Sequence, residues 1–148
     1  MKLSSRTEYG VRAMAELATL FGRGPVSLRE VAARQGIPES YLEQLLGVLR
    51  KAGLLLGQRG AAGGYALARE PRSITVGDVV RALEGPIALC SCASEDGGDG
   101  GGCSRVGDCA AHPVWARLRD GITSILDSTT LEDMIAAPQG NGDAESVD

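Results

Sequence analysis

The stretch PESYLEQLLGVLRKAGLLLGQRGAAGGYALARE, residues 38–70, sets a helix-period run directly against a strand–turn–strand run. In its first half Leu42, Leu45, Leu46 and Leu49 recur at i, i+3, i+4 and i+7, the spacing of one buried helix face. Gly53 stands where a left-handed residue would end that helix. In its second half three leucines precede a turn over residues 60–64, and residues 65–68 return as a second strand. A hairpin placed immediately after such a helix predicts a wing.

Working upstream, Ser27 and Glu30 form a capping box for a short helix with Leu28, Val31 and Ala32 as its apolar stripe, broken at Gly36. Two short helices around a glycine-containing turn are the layout of helix-turn-helix. Ahead of them Ser5 and Glu8 read as another capping box, opening a helix that buries Met14, Leu17, Ala18 and Phe21 and ends over residues 22–25. Downstream, Thr75 caps a helix with Asp78 as its third residue and Val76, Val79, Val80 and Leu83 as its stripe, stopped by Gly85-Pro86. Pro113 opens a longer helix carrying Trp115, Leu118, Ile122, Ile125 and Leu126, and Thr130 caps a last short one. No internal repeat appears.

The expected fold is therefore mainly α with a small β-hairpin wing: a winged helix-turn-helix plus a long C-terminal dimerisation helix. The expected organisation is a DNA-binding domain over residues 1–86, a cysteine-rich loop over 87–112, the long and short C-terminal helices over 113–136, and a disordered acidic tail over 137–148. The alternating threes and fours of the long helix fit packing along a partner helix. Pairing with its own copy in a homodimer would cover it; folding back on the first helix is the alternative.

The net charge of −4 is unevenly spread over the 148 residues. Residues 1–81 hold 12 Lys/Arg against 7 Asp/Glu, whereas residues 82–148 hold 3 against 12. A basic half joined to an acidic half points to a polyanion-binding module with something different attached. The polar face of the third helix carries Ser40, Glu43, Gln44, Arg50 and Lys51, and Arg59 sits in the wing. Gln44 and Arg59 suit base-edge and phosphate contacts, while Glu43 would accept from a cytosine amino group and repel phosphate, selecting against wrong sites. No run approaches the ~20 apolar residues of a membrane span. Nor does the N-terminus have a signal peptide's layout. A cytoplasmic protein is the expectation, with no membrane partner.

CSCASEDGGDGGGCSRVGDCAAH, residues 90–112, holds all four cysteines and the single histidine. A disulfide, a zinc site and an iron–sulfur cluster compete for it. A cytoplasm disfavours the first. Three cysteines and a histidine could bind zinc tetrahedrally, although Cys90-Ser91-Cys92 is tighter than the usual knuckle spacing. Thiolates are the preferred ligands of iron–sulfur clusters, with histidine a known substitute. A catalytic cysteine would need a base and a formed pocket, so no enzyme is expected.

The segments MKLSSRTEYGVRAM, RQGIPESYLEQLLGVLRKAGLL, RGAAGGYALAR, TVGDVVRALEGPI, HPVWARL and STTLEDM together resemble the bacterial winged-helix iron–sulfur regulators, IscR/NsrR-like transcription regulators, from Met1 to about Ile135. The resemblance implies a homodimeric DNA-binding transcription regulator, a repressor, acting at a palindromic operator in double-stranded DNA. It places DNA contacts on Ser40, Tyr41, Gln44 and Arg59, and the tuning of site selectivity on Glu43. It places cluster ligation on Cys92, Cys103, Cys109 and His112. A carboxylate at Glu8 of the other subunit is a second-rank ligand in this pattern, as is Cys90. The implied activity is sensing of iron–sulfur status, redox state or nitric oxide. Three cysteines with His112 favour a 2Fe–2S cluster, and a fourth ligand from Cys90 or Glu8 leaves 4Fe–4S open. Two departures stand out: ten residues separate Cys92 from Cys103, and Cys90 is a thiol the pattern does not require.

Overall fold

The computed structural model describes residues 2–96 and 105–137. Within them helices α1 (Ser5–Thr19), α2 (Leu28–Gln35) and α3 (Glu39–Lys51) precede an antiparallel hairpin of β1 (Leu55–Gln58) and β2 (Gly64–Leu67). Helices α4 (Val76–Glu84), α5 (His112–Ser128) and α6 (Leu131–Ala136) follow. This is the mainly helical, winged architecture that the patterning predicts. Cys103 and residues 138–148 of the expected tail lie outside the described residues.

Local rules account for most helix ends. Thr75 with Asp78 caps α4 reciprocally, and Thr130 with Asp133 does the same for α6. Gly53, at φ 82°, ends α3 as expected. Three expectations need correction. The cap of α1 is Ser4, not Ser5: Ser4 Oγ accepts from the Thr7 N–H at 3.3 Å, and both hydroxyls donate to Glu84 at the end of α4. That carboxylate is distant in sequence, so no local motif could place the cap on it. For α2, Ser27 accepts from the Glu30 N–H, but the Glu30 carboxylate binds Arg34 at 2.9 Å, so only half the capping box forms. Phe21 lies beyond the end of α1 and is exposed.

The core gathers Met14 and Leu17 of α1, Val31 of α2, the four leucines of α3, Leu55 of β1 and Val79 of α4. Helices α1 and α4 approach closely where Gly10 faces Leu83, and a Cβ at position 10 would overlap Leu83 Cδ1. The end of the chain returns to the same core. The Val76 N–H donates to the Thr129 carbonyl at 2.8 Å, the Leu131 N–H to Ile74 at 2.9 Å, and the Leu131 side chain is fully buried.

Helix α5 lies along α4 rather than α1. None of its residues is fully buried within the protomer. Trp115, Leu118 and Ile125 remain 42%, 45% and 66% exposed, while Ile122 and Leu126 are half-buried. The apolar periodicity is real, and the protomer covers only part of it.

Candidate nucleic-acid interface and thiol–imidazole segment

Burial of Leu42, Leu45, Leu46 and Leu49 fixes the roll of α3 and leaves Ser40, Glu43 and Gln44 exposed. Tyr41 is half-buried. Its ring meets Tyr9 of α1 edge to face, with centroids 5.9 Å apart and planes at 84°, and the Arg12 guanidinium lies 5.3 Å from the Tyr9 ring centre. Arg12 in turn donates to the Gln35 backbone carbonyl at the end of α2. Tyr9 and Arg12 thus seat the N-terminal turn of α3, a role that sequence reasoning missed because nothing local pairs them with Tyr41.

The wing is anchored at its base. Val26 and Tyr65 exchange two backbone hydrogen bonds of 2.8 Å, and a Cβ at Gly64 would overlap the Val26 carbonyl oxygen. The hairpin pairs Leu55 with Leu67 and Gln58 with Gly64, one residue earlier in β2 than the pattern predicts. Its turn presents Arg59 to solvent. Arg50 of α3 reaches across to β1, where a Cβ at Gly57 would stand 3.1 Å from Arg50 Cδ, so this arginine packs against the wing. Arg34 is engaged by Glu16 and Glu30 at 3.0 and 2.9 Å.

The first part of the cysteine segment is a tight hairpin. Ala88 bridges Ser94, the Ala93 N–H donates to the Cys90 carbonyl at 3.0 Å, and the Glu95 N–H donates to Ile87 at 2.9 Å. This turn sets Cys90 Sγ and Cys92 Sγ 3.6 Å apart. Glu95 closes it by accepting from the Ile87 N–H at 2.9 Å and from Arg81 of α4 through two bonds of 2.7 Å. Arg81 also grips Asp127 near the end of α5, at 2.6 and 2.9 Å. The guanidinium holds both carboxyls below their usual range, and its own protonated form is strengthened, chiefly by Asp127 and then by Glu95. No sequence motif announces this junction, because its members are 14 and 46 residues apart.

The second part leads into α5. The Cys109 N–H donates to Arg105 at 2.8 Å and the His112 N–H to Cys109 at 3.3 Å. His112 is itself the first residue of α5, one earlier than the expected Pro113. Its Nδ1 is buried and has no hydrogen-bond partner, a state that polar atoms rarely occupy without a ligand or water. Thiolates and an imidazole with an unspent ring nitrogen fit a soft metal centre in chemistry. Among the described residues, which exclude Cys103, no three of His, Cys, Asp and Glu stand within reach of one ion. Glu8 is exposed in the first turn of α1.

Among the described residues no helix is long and apolar enough to cross a membrane. Comparison with known proteins gives a consistent picture. The HTH-type transcriptional regulator CymR of Bacillus subtilis is 42% identical over 144 residues, covering 97% of this chain and 96% of that protein. IscR of Escherichia coli is 38% identical over 135 residues, covering 91% of this chain and 80% of that one. The solved structure of B. subtilis CymR, described as its global cysteine regulator, superposes with a TM-score of 0.74 over 91% of this chain and 96% of that one. T. potens IscR superposes with a TM-score of 0.73 at 47% identity, over 91% of this chain and 86% of that one. The family profile described as Rrf2, iron-dependent transcriptional regulator, matches residues 3–137. The chain is a DNA-binding transcription regulator rather than an enzyme, and it belongs to the Rrf2 family.

Proposed function

We propose that this regulator works in the cytoplasm as a homodimer on a palindromic operator and reads iron–sulfur status, redox state or nitric oxide through a cluster held by Cys92, Cys103, Cys109 and His112. A 2Fe–2S cluster is the assignment, with 4Fe–4S the variant if Cys90 or Glu8 adds a ligand. The observation that carries the sensing role is the buried, unpartnered Nδ1 of His112 at the head of α5, one turn beyond Cys109. When bound, such a cluster supplies iron that responds to oxidants, nitric oxide and iron supply.

The chain's own residues supply the transmission. Holding the His112 imidazole fixes the first turn of α5. Glu95, Arg81 and Asp127 tie the cysteine hairpin to α4 and to the far end of α5. Helix α4 reaches α1 through Leu83 and Glu84, and Tyr9 of α1 seats Tyr41 on α3. A tenfold change in DNA affinity needs only about 1.4 kcal/mol of coupling along such a path. On the DNA side, Ser40, Tyr41, Gln44 and Arg59 make the contacts and Glu43 tunes site choice. The uncovered face of α5 is matched by a second copy, and a two-fold dimer fits two half-sites.

The kinship with CymR favours a second reading, in which the same DNA-binding dimer carries no cluster and the segment holds structural zinc or stays metal-free. Anaerobic purification with iron, sulfide and zinc analysis and a visible spectrum separates the readings. Equimolar iron and sulfide with charge-transfer bands, lost in His112→Ala, is expected. Zinc without sulfide, or no metal, overturns the sensing assignment and leaves the DNA-binding one intact.

A further inference from the structure

Cys90 is the cysteine that neither the fold nor the family pattern requires, yet the chain holds it against Cys92. The 87–95 hairpin is closed by the Ala88–Ser94 bridge, by the Ala93 N–H on the Cys90 carbonyl, and by Glu95 on Arg81. Ala93, just after the turn, is fully buried and anchors it. The two sulfurs sit 3.6 Å apart on this anchored turn, with Cys90 exposed and Cys92 half-buried. A disulfide requires them to close to about 2.05 Å, a short movement within one exposed turn.

We propose that Cys90 and Cys92 form a peroxide-oxidised dithiol, with Cys90 the sulfur attacked first and Cys92 the sulfur that closes the bond. Oxidation susceptibility follows exposure, which places the first step on Cys90. Its sulfur attacks one oxygen of hydrogen peroxide; an S–O bond forms, the O–O bond breaks, and the leaving hydroxide takes up a proton to become water. Cys92 sulfur then attacks the Cys90 sulfenic acid; the S–S bond forms, the S–O bond breaks, and a second water leaves. Two thiols have lost two electrons and two protons, and the peroxide has been reduced to two waters. A bridge across so short a loop is exposed and constrained, which is the class of disulfide that thiols reduce readily and that cytosolic proteins use for sensing. Its consequence for regulation rests on the cluster reading: a Cys92 locked in this bond is withdrawn from the ligand set.

The test uses the full-length protein, stripped of metal and treated with stoichiometric hydrogen peroxide. Blocking with an alkylating agent and cleavage after glutamate follow. Cleavage at Glu84 and Glu95 releases residues 85–95, whose only cysteines are Cys90 and Cys92. The expected product is this peptide unalkylated and about 2 Da lighter than its dithiol form, reverting to two alkylated thiols after dithiothreitol. A peptide with Cys90 carrying added oxygen and Cys92 still alkylated overturns the proposal, as does Cys92 bridged to Cys103 or Cys109. This outcome does not depend on whether the protein carries a cluster. In iron-loaded protein, peroxide should release iron reversibly from wild type and more slowly from Cys90→Ser. Equal release from both would sever the dithiol from the sensing role.

Discussion

Arg81 and Asp127 meet as a two-bonded guanidinium–carboxylate pair, 2.6 and 2.9 Å, that joins the last turn of α4 to the last turn of α5. The same guanidinium holds Glu95, so one side chain pins the cysteine hairpin and the long helix to the winged domain. On the Gly77 side the pair has no spare room: a Cβ there would overlap Asp127 Oδ1. Asp127 is the more exposed partner, and Asp127→Asn should cost at most about 1 kcal/mol in urea unfolding, less in high salt. Arg81→Met leaves Glu95 facing Asp127 with no cation between them and should cost about 2 kcal/mol. An Arg81→Met protein as stable as wild type would show that this junction does not hold the hairpin and α5 to the winged domain.

The acid limb of stability follows from the same pair. Both carboxyls titrate lower in the folded chain than their ordinary 3.8 and 4.5, because Arg81 favours the charged forms. Glu84 is lowered too, by the hydroxyls of Ser4 and Thr7. A carboxyl depressed on folding adds stability that is complete above its unfolded value and is lost as pH falls through the folded one. Stability should therefore hold near neutrality and decline below about pH 4.5, with a shallower decline in the Asp127→Asn protein. Parallel acid limbs for variant and wild type would contradict the assignment.

Two helical glycines predict opposite signs for the same substitution. Gly47 in α3 has open space where a Cβ would go, so Gly47→Ala should stabilise by up to about 1 kcal/mol through helix propensity. Gly10→Ala gains the same propensity but forces Leu83 aside in a packed α1–α4 contact, and overpacking costs about 1–3 kcal/mol. A net loss is expected. Thermal unfolding of the two variants side by side checks both, and a stabilised Gly10→Ala would mean that Leu83 repacks freely.

What could be read from the sequence was local. The α3 leucines, the Thr75 and Thr130 caps and Gly53 each encode their role within a few residues, and the fold class follows from them. What could not be read was contact across the chain. Ser4 caps α1 because Glu84 is there to receive it, Tyr41 packs edge to face on Tyr9, whose ring in turn carries Arg12, and Arg81 finds partners on two other segments. The candidate ligands show the same divide. Residue type names Cys92, Cys109 and His112, but only the folded chain distinguishes a ring nitrogen left buried without a partner.

The DNA contacts assigned to α3 and the wing separate by salt and by sequence. Arg59 presents an exposed charge at the wing turn, so Arg59→Ala should weaken binding to all sequences and lower the salt slope by about one. Gln44→Ala should cost about 1–3 kcal/mol on the operator and little on unrelated DNA. Tyr9→Leu removes the ring beneath Tyr41, worth about 0.5–1.5 kcal/mol, and should weaken operator binding without changing the salt slope. Fluorescence anisotropy across a salt series reads all three, and an unchanged operator affinity for Gln44→Ala would displace the recognition surface.

The exposed apolar face of α5 gives the last prediction. Leu118 and Ile125 are 45% and 66% exposed within one protomer and lie seven residues apart, two turns along one face. Substituting either by glutamate buries nothing new in a monomer, so each single protomer should fold as well as before. In a dimer the same carboxylate enters a desolvated seam and faces its own copy across the two-fold axis, a cost of several kcal/mol. Sedimentation should therefore show wild type as a dimer and Leu118→Glu or Ile125→Glu as a folded monomer with wild-type helicity. Operator affinity should fall steeply in both, since one winged domain then grips one half-site without its partner. A Leu118→Glu protein that stays dimeric would place the subunit interface on another face, and the exposed stripe of α5 would need a different cover.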